Sequence, residues 1–149
     1  KSGTPYERKV ALLRLEALRE AATAEAIKPY VESRDPDLRA DSLRALAVVE
    51  GPKTVPLLVE HFKREAHPRV RWSVLLALEP FRETQPELFP LFIRAMRDHD
   101  PEVRLAAVDI VSRIDDPAAH EAIQARWRTE LHPDVRRLLK RAVVPVKEP

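Results

Sequence analysis

Apolar residues recur along this chain in helical register behind a set of evenly placed prolines. After Pro36 come Leu38, Ser42, Ala45, Leu46 and Val49. After Pro68 come Val70, Val74, Ala77, Leu78 and Phe81, and after Pro101 come Val103, Ala107, Ile110, Val111 and Ile114. A period of about 3.6 residues marks one buried face of a helix, and proline suits the first helical position because its missing amide would be unpaired there anyway. Four segments align without gaps: Asp35-Pro36-Asp37-Leu38-Arg39, His67-Pro68-Arg69-Val70-Arg71, Asp100-Pro101-Glu102-Val103-Arg104 and His132-Pro133-Asp134-Val135-Arg136. Their prolines are 32, 33 and 32 residues apart. A weaker copy, Thr4-Pro5-Tyr6-Glu7-Arg8, starts 31 residues upstream and carries Glu7 where the others have Leu or Val, the divergence expected of a terminal capping repeat. Asp35, Asp100 and Thr4 can cap the free amides that follow them.

A second proline set, Pro52, Pro86 and Pro117, opens a shorter helix in three of the repeats, with Gly51 or Asp116 beside it as stop or cap. Counting back from each start-of-repeat proline gives the expected buried sides: Thr23, Ala26, Ile27 and Tyr30; Val55, Leu58, Val59 and Phe62; Leu88, Leu91, Phe92 and Ala95. The fourth copy, with Ala119, Ala122, Ile123 and Trp127, slips by about one residue. Pro29, Pro56 and Pro90 fall near the starts of second helices, where a missing amide is cheap or bends the chain. Three rows then point outward: Pro29, His61, Arg94 and Arg126; Glu32, Arg64, Arg97 and Thr129; Lys28, Glu60, Ile93 and Ala125.

Composition narrows what such helix pairs can do. With only two glycines, Gly3 and Gly51, phosphate-cradling loops and dinucleotide turns are excluded in practice. Without cysteine or asparagine there is no disulfide, thiolate metal site, catalytic thiol or glycosylation sequon. Apolar stretches such as 45–49 and 74–78 are far shorter than the ~20 residues a membrane helix needs, so no membrane insertion is expected. Basic and acidic side chains nearly balance, 26 against 24, so bulk charge does not point to nucleic acid. The chain starts at Lys1 with no leader-like segment, reads as trimmed and is expected to be cytoplasmic. Residues 144–149, with two prolines, read as a tail or linker.

The Asp-Pro-x-Val-Arg start, the small residues at mid-helix, the Ala-Leu pair late in the first helix and the period near 32 resemble HEAT repeats, in particular the short bacterial type related to phycobilisome-lyase repeats. The clearest copy runs over residues 100–123, and the resemblance covers about 5–143. It implies an all-α fold: a right-handed α-solenoid of about five helix pairs, at about 5–34, 35–66, 67–99, 100–131 and a partial 132–143, in one domain over 1–143. It also implies that first helices form the convex face and second helices the concave one. A ladder between neighbouring repeats is implied for Asp35, Arg39, Arg71, Asp100, Arg104 and Arg136.

The recurring arginine stands one residue from a core position at a helix start, where bridging an adjacent repeat competes with a phosphate-binding row. His67 and His132 sit at the capping position, and no two histidines have the i, i+4 spacing of a helical metal pair, so neither metal nor cofactor is expected. Trp127 falls in a core row; Trp72 is open between core and surface. On the presumed concave side, His61, Arg64, Arg94, Arg97 and Arg126 gather with Leu57, Glu60, Phe89 and Ile93. An apolar centre with a guanidinium rim has the composition of interface anchors; an ordinary solvated face, with arginine stems lying over apolar surface, is the competing reading. No nucleophile or acid–base pair held by a third group stands out, so a non-catalytic, protein-binding scaffold is expected. Its partner would be a protein, with an acidic segment the natural match, and the chain would be a monomer or a domain of a larger protein. The alternatives are nucleic-acid binding, as in HEAT-like DNA glycosylases whose signature residues do not match here, and an accessory subunit of a bilin-lyase-like enzyme.

Core placement makes a testable demand. Leu78→Ala should cost on the order of 2–4 kcal/mol and Val111→Ala ~1–3 kcal/mol; a denaturation curve in which Leu78→Ala shifts stability by less than about half a kcal/mol would contradict the assigned face.

Overall fold

The computed structural model describes residues 4–18 and 21–143; the tail at 144–149 lies outside them. Nine helices run through the described residues: α1 (Pro5–Leu18), α2 (Ala21–Ile27), α3 (Pro36–Glu50), α4 (Val55–Arg64), α5 (Pro68–Leu78), α6 (Phe89–Ala95), α7 (Pro101–Ser112), α8 (Pro117–Thr129) and α9 (Pro133–Val143). There is no strand among these residues, and no helix is long and apolar enough to cross a membrane. The fold is all-α, made of packed helix pairs.

Six of the helices begin on a proline. Asp35 accepts the amides of Asp37 and Leu38, Asp100 those of Glu102 and Val103, and Asp116 that of Ala118. Glu7, the residue out of pattern in the first copy, completes a capping box. Thr4 donates its amide to the Glu7 carboxylate at 2.7 Å, while Glu7 donates its own to the Thr4 hydroxyl at 3.2 Å. Pro52 and Pro86 open only 3₁₀ turns, Gly51–Thr54 and Pro86–Leu88, ahead of α4 and α6. The cause lies four residues on: Pro56 and Pro90 have no amide to give the carbonyls of Pro52 and Pro86, so the first α-helical bond cannot form. Pro117 is followed at that spacing by Glu121, and α8 is α-helical from its first residue.

The helices group into two compact units, Lys1–Glu83 and Thr84–Pro149, and the boundary falls between the two helices of the repeat expected at 67–99. In the first unit, α3 packs against α1, α2 and α5, and α4 against α5. In the second, α7 packs against α6, α8 and α9, and α8 against α9. The first-helix faces are buried as their periodicity requires: Leu38, Ala45, Leu46, Val70, Val74, Leu78, Val103, Ala107, Ile110 and Val111 are all in the core.

Second-helix faces are rotated from the expected ones. Ala26, placed in the core by counting back, is exposed, and Tyr30, Val59 and Leu91 are half-buried; Ala24, Val31, His61 and Met96 are buried in addition to Ile27, Leu58, Phe62 and Phe92. In the first repeat the 3₁₀ segment Lys28–Tyr30 changes the angular advance per residue, which brings Val31 rather than Tyr30 inward.

Gly51 ends α3 with φ 61 and ψ −138, and its amide still reaches the Ala47 carbonyl. A Cβ there would meet nothing within 4 Å, so any cost of substitution is purely conformational. Gly51→Ala should therefore destabilise by roughly 1–2 kcal/mol, measured by urea denaturation, without changing the helix content seen by circular dichroism.

Candidate functional site

The turns that join successive repeats decide what the recurring residues do. In the four aligned copies the guanidinium three residues past the proline reaches back to one or two carbonyls at the end of the preceding helix pair. Arg39 Nη1 donates to the carbonyls of Ser33 (2.6 Å) and Arg34 (3.2 Å), and Arg71 Nη1 to Glu65 (3.3 Å) and Ala66 (2.7 Å). Arg104 Nη1 donates to Asp98 and His99, both at 2.9 Å, and Arg136 Nη1 to Glu130 at 3.0 Å. The same turn is closed from the other side. Ser33, Glu65, Asp98 and Glu130, each three residues before a proline, accept through their side chains the amides of Asp35, His67, Asp100 and His132.

Two of these acceptors also tie the end of a repeat back to the start of its own first helix. Arg39 binds Glu65 through two parallel bonds, Nε at 3.0 Å and Nη2 at 2.8 Å, and Arg104 binds Glu130 likewise at 2.9 and 3.0 Å. The expected ladder of motif aspartates and arginines is corrected accordingly: Asp35 and Asp100 spend their carboxylates on their own helix starts, and the acids that meet Arg39 and Arg104 are Glu65 and Glu130. A contact 26 residues away along the chain leaves no trace in local periodicity. The spacing of Ser33, Glu65, Asp98 and Glu130, which follows the prolines, was its one visible signal.

Glu130 is the most enclosed acid among the described residues, its side chain 1% exposed. Burial alone would raise its pKa, but the bonds from Arg104, the His132 amide and Arg126 outweigh that and hold it down at about 2. Glu65 is shifted the same way, burial being overcome by Arg39 and the His67 amide. Trp127, expected in the core, is half-buried: the Arg136 guanidinium lies 4.3 Å from its ring centroid and covers what a further side chain would otherwise cover. His67 makes no side-chain cap bond.

On the second-helix side of the first unit, the positions read as an outward cationic row are internally neutralised. His61, expected outward, is 2% exposed; its Nε2 lies 3.1 Å from Arg64 Nη2 and 3.2 Å from Glu32 Oε1. Arg64 pairs with the same Glu32 carboxylate. Burial first, and then the Arg64 charge, hold the His61 imidazole below its usual range, so it is neutral at pH 7. Lys28 pairs with Glu25 at 2.6 Å and Glu50 at 3.2 Å. Glu60 is exposed and Leu57 half-buried.

In the second unit the corresponding side is hollow. Ile93, Met96, Ala122 and Ala125 form the apolar floor of a cleft of about 290 Å³, and Arg97, Arg126 and Thr129 stand at its edge. Arg126 is fixed by Glu130, with Nε to Oε2 at 2.9 Å. Arg94 and Arg97 are exposed and make no ion pair with another described residue. Of the residues placed on this face from sequence, Ile93, Arg97 and Arg126 thus come together around one cleft, while Arg94 and the half-buried Phe89 lie on α6 outside its lining. Ala125 falls on the outward row read from sequence, Ala122 on the expected core row, and Met96 on neither; small size on a second helix is a weak signal. The volume sits at the lower edge of the ~300–1,000 Å³ typical of small-molecule pockets, a size suited to side chains of a bound segment.

The depressed pKa of Glu130 has a stability consequence. A folded-state value near 2 against 4.5 in the unfolded chain gives stabilisation that is complete above pH 4.5 and lost as pH falls through 2. Glu130→Gln should cost on the order of 3 kcal/mol at neutral pH, and the gap to the parent should close as urea denaturation is repeated from about pH 4.5 down to about pH 2.

Comparison with known sequences agrees with this construction. A family model for HEAT repeats matches residues 1–79 and again 64–143; the match is to HEAT repeats at large and does not single out the phycobilisome-lyase branch. A comparison with curated proteins finds no match. HEAT repeats generally serve as protein-interaction scaffolds and are typically non-catalytic. Helix pairs recurring every 32 or 33 residues, each closed by an arginine-clasped turn and matched by the HEAT model over most of the chain, make this protein a member of the HEAT repeat family.

Proposed function

We propose that the chain is a protein-binding module whose second unit captures an acidic segment of its partner on the second-helix side. One contrast carries this reading. Two cations of the outward rows in the first unit are matched by carboxylates, Lys28 by Glu25 and Glu50 and Arg64 by Glu32, while Lys63 on α4 is exposed with no such match among the described residues. Arg126 is matched by Glu130. Arg94 and Arg97 stand exposed beside an apolar cleft with no such match among the described residues. Charge set beside apolar surface and left unneutralised is what a complementary partner completes. Helices whose ends are tied by clasped turns hold that surface in place before binding, so little ordering cost falls on the module. Within a larger protein or complex, the chain would act by rigid display.

A fluorescein-labelled peptide of repeated Leu-Asp-Glu triplets is expected to bind the protein, more weakly as salt is added. The double variant Arg94→Ala, Arg97→Ala should lose on the order of tenfold or more in affinity, with an unchanged circular dichroism spectrum. Equal binding by the double variant would rule out this surface, and capture of random duplex DNA instead of the peptide would replace the reading by nucleic-acid binding.

A further inference from the structure

The chain repeats itself over two helix pairs as well as over one. Pro36 and Pro101, Pro52 and Pro117, and Pro68 and Pro133 each lie 65 residues apart, and the alternation of Asp-Pro with His-Pro starts follows the same interval. Contacts obey it as well: Arg39 with Glu65 and Arg104 with Glu130 are the same bidentate bond one interval apart. The buried residues Ile27 and Val31 correspond to Phe92 and Met96, and Leu58 to Ile123, all in the core. Positions in the two units can therefore be matched one to one.

The correspondence shows what the second unit's cleft lacks. Arg97 stands where the first unit has Glu32, Arg126 where it has His61, and Thr129 where it has Arg64. In the first unit the Glu32 carboxylate lies 3.2 Å from His61 Nε2 and is bound by Arg64, so the chain supplies its own anion there. In the second unit that anion is replaced by a cation. Arg126 commits only Nε and Nη2 to Glu130, which leaves the Nη1 edge of the guanidinium for another acceptor. The neighbouring substitutions remove bulk and charge together. Ala122 replaces Leu57, Ala125 replaces Glu60 and Ile93 replaces Lys28, which turns a self-neutralised surface into a hollow with an apolar floor.

We infer that this cleft is a two-part socket for an acidic, partly apolar segment of a protein partner, an inference that rests on the proposed function and names the chemistry at its site. An Asp or Glu carboxylate of the partner plays the part of the first unit's Glu32 carboxylate and is met by Arg97 and the Nη1 edge of Arg126, while the Thr129 hydroxyl is spent on the Arg126 carbonyl at 3.3 Å. An adjoining apolar side chain of the partner covers Ile93, Met96, Ala122 and Ala125. Glu32 is the intramolecular stand-in for the ligand group, and the alanines are smaller than Leu57 and Glu60, which stand at the same positions in the first unit.

The test uses labelled peptides of repeated Leu-Asp-Glu, Ser-Asp-Glu and Leu-Asn-Gln triplets, read by fluorescence anisotropy against the full chain. The socket requires the first to bind on the order of tenfold more tightly than either of the others. Arg97→Glu restores a built-in carboxylate; it should abolish binding of the Leu-Asp-Glu peptide and raise the Tm by about 1–3 °C through a new pair with Arg126. Ala122→Leu fills the hollow without changing charge, and should reduce the Leu-Asp-Glu affinity to that of Ser-Asp-Glu. Equal binding of the Leu-Asp-Glu and Ser-Asp-Glu peptides would overturn the socket while leaving acidic-segment binding standing. An unchanged or lowered Tm for Arg97→Glu would overturn the correspondence with Glu32. If no peptide binds at all, the proposed function itself fails.

Discussion

Where one antiparallel helix pair hands over to the next, the carbonyls at the end of one helix and the amides at the start of another come close together, away from the partners a continuing helix would supply. Four arginines, Arg39, Arg71, Arg104 and Arg136, answer the first half of that problem by donating to those carbonyls. Proline answers part of the second half by removing one amide, and Ser33, Glu65, Asp98 and Glu130 take the amide just before it. Charge-assisted bonds of this kind contribute roughly 1.5–3 kcal/mol each. They are directional, so they fix the angle at which each new helix leaves the turn. The planar fork matters: a single guanidinium serves two carbonyls through Nη1 while Nε and Nη2 face a carboxylate, which an ammonium group cannot reproduce.

That division of labour explains why the motif alternates. Where aspartate precedes the proline, it caps its own helix and a short acceptor, Ser33 or Asp98, closes the turn. Where histidine precedes it, the longer Glu65 or Glu130 closes the turn and still reaches the arginine of the repeat before. A carboxylate drawn into that position is buried, and burial alone would favour its neutral form; two or three donors aimed at it keep Glu130 ionised. The acid is thus stable only because the arginines are already placed by their other bonds, and a turn with one of these parts missing would leave a buried charge uncompensated.

How far this was legible in the sequence depends on the distance over which each interaction acts. Helix starts at Pro5, Pro36, Pro68, Pro101, Pro117 and Pro133 follow from proline's own geometry, reinforced at four of them by a capping Thr or Asp, and the first-helix cores follow from a period counted within a single helix. The second helices departed from the count: Ala26 is exposed while Val31, His61 and Met96 are buried, and Pro29, Pro56 and Pro90 each delete an amide in or beside a 3₁₀ segment. His61 illustrates a further limit: a polar residue at the border of a core face goes inward only if partners wait there, and Glu32 lies 29 positions away in the chain. Glu65 and Glu130 escaped for the same reason, since a bond to an arginine 26 residues earlier has no local signature. Arg97 and Ile93 were identified on the outward rows, but their relation to Arg126 needed the packing of α6 and α8 around the cleft.

The two units also show how a repeat acquires a binding surface without changing its scaffold. Much of what holds the helices recurs at the 65-residue interval: the Arg39–Glu65 and Arg104–Glu130 clasps, the Asp35 and Asp100 caps, and core pairs such as Ile27 with Phe92 and Leu58 with Ile123. What differs is a handful of side chains on the second-helix side. In the first unit a carboxylate, an imidazole and a guanidinium satisfy one another. In the second, the carboxylate has given way to the Arg97 guanidinium, the guanidinium to the Thr129 hydroxyl, and the imidazole to the Arg126 guanidinium, which is anchored from behind by Glu130. Anchoring has an energetic meaning: a donor already immobilised by the fold surrenders little rotamer entropy when it meets an acceptor, whereas exposed Arg97 must still be ordered. Selectivity in such a cleft would then come from Arg126 and the apolar floor, whose positions the fold sets, and Arg97 would add mainly long-range attraction that salt can screen.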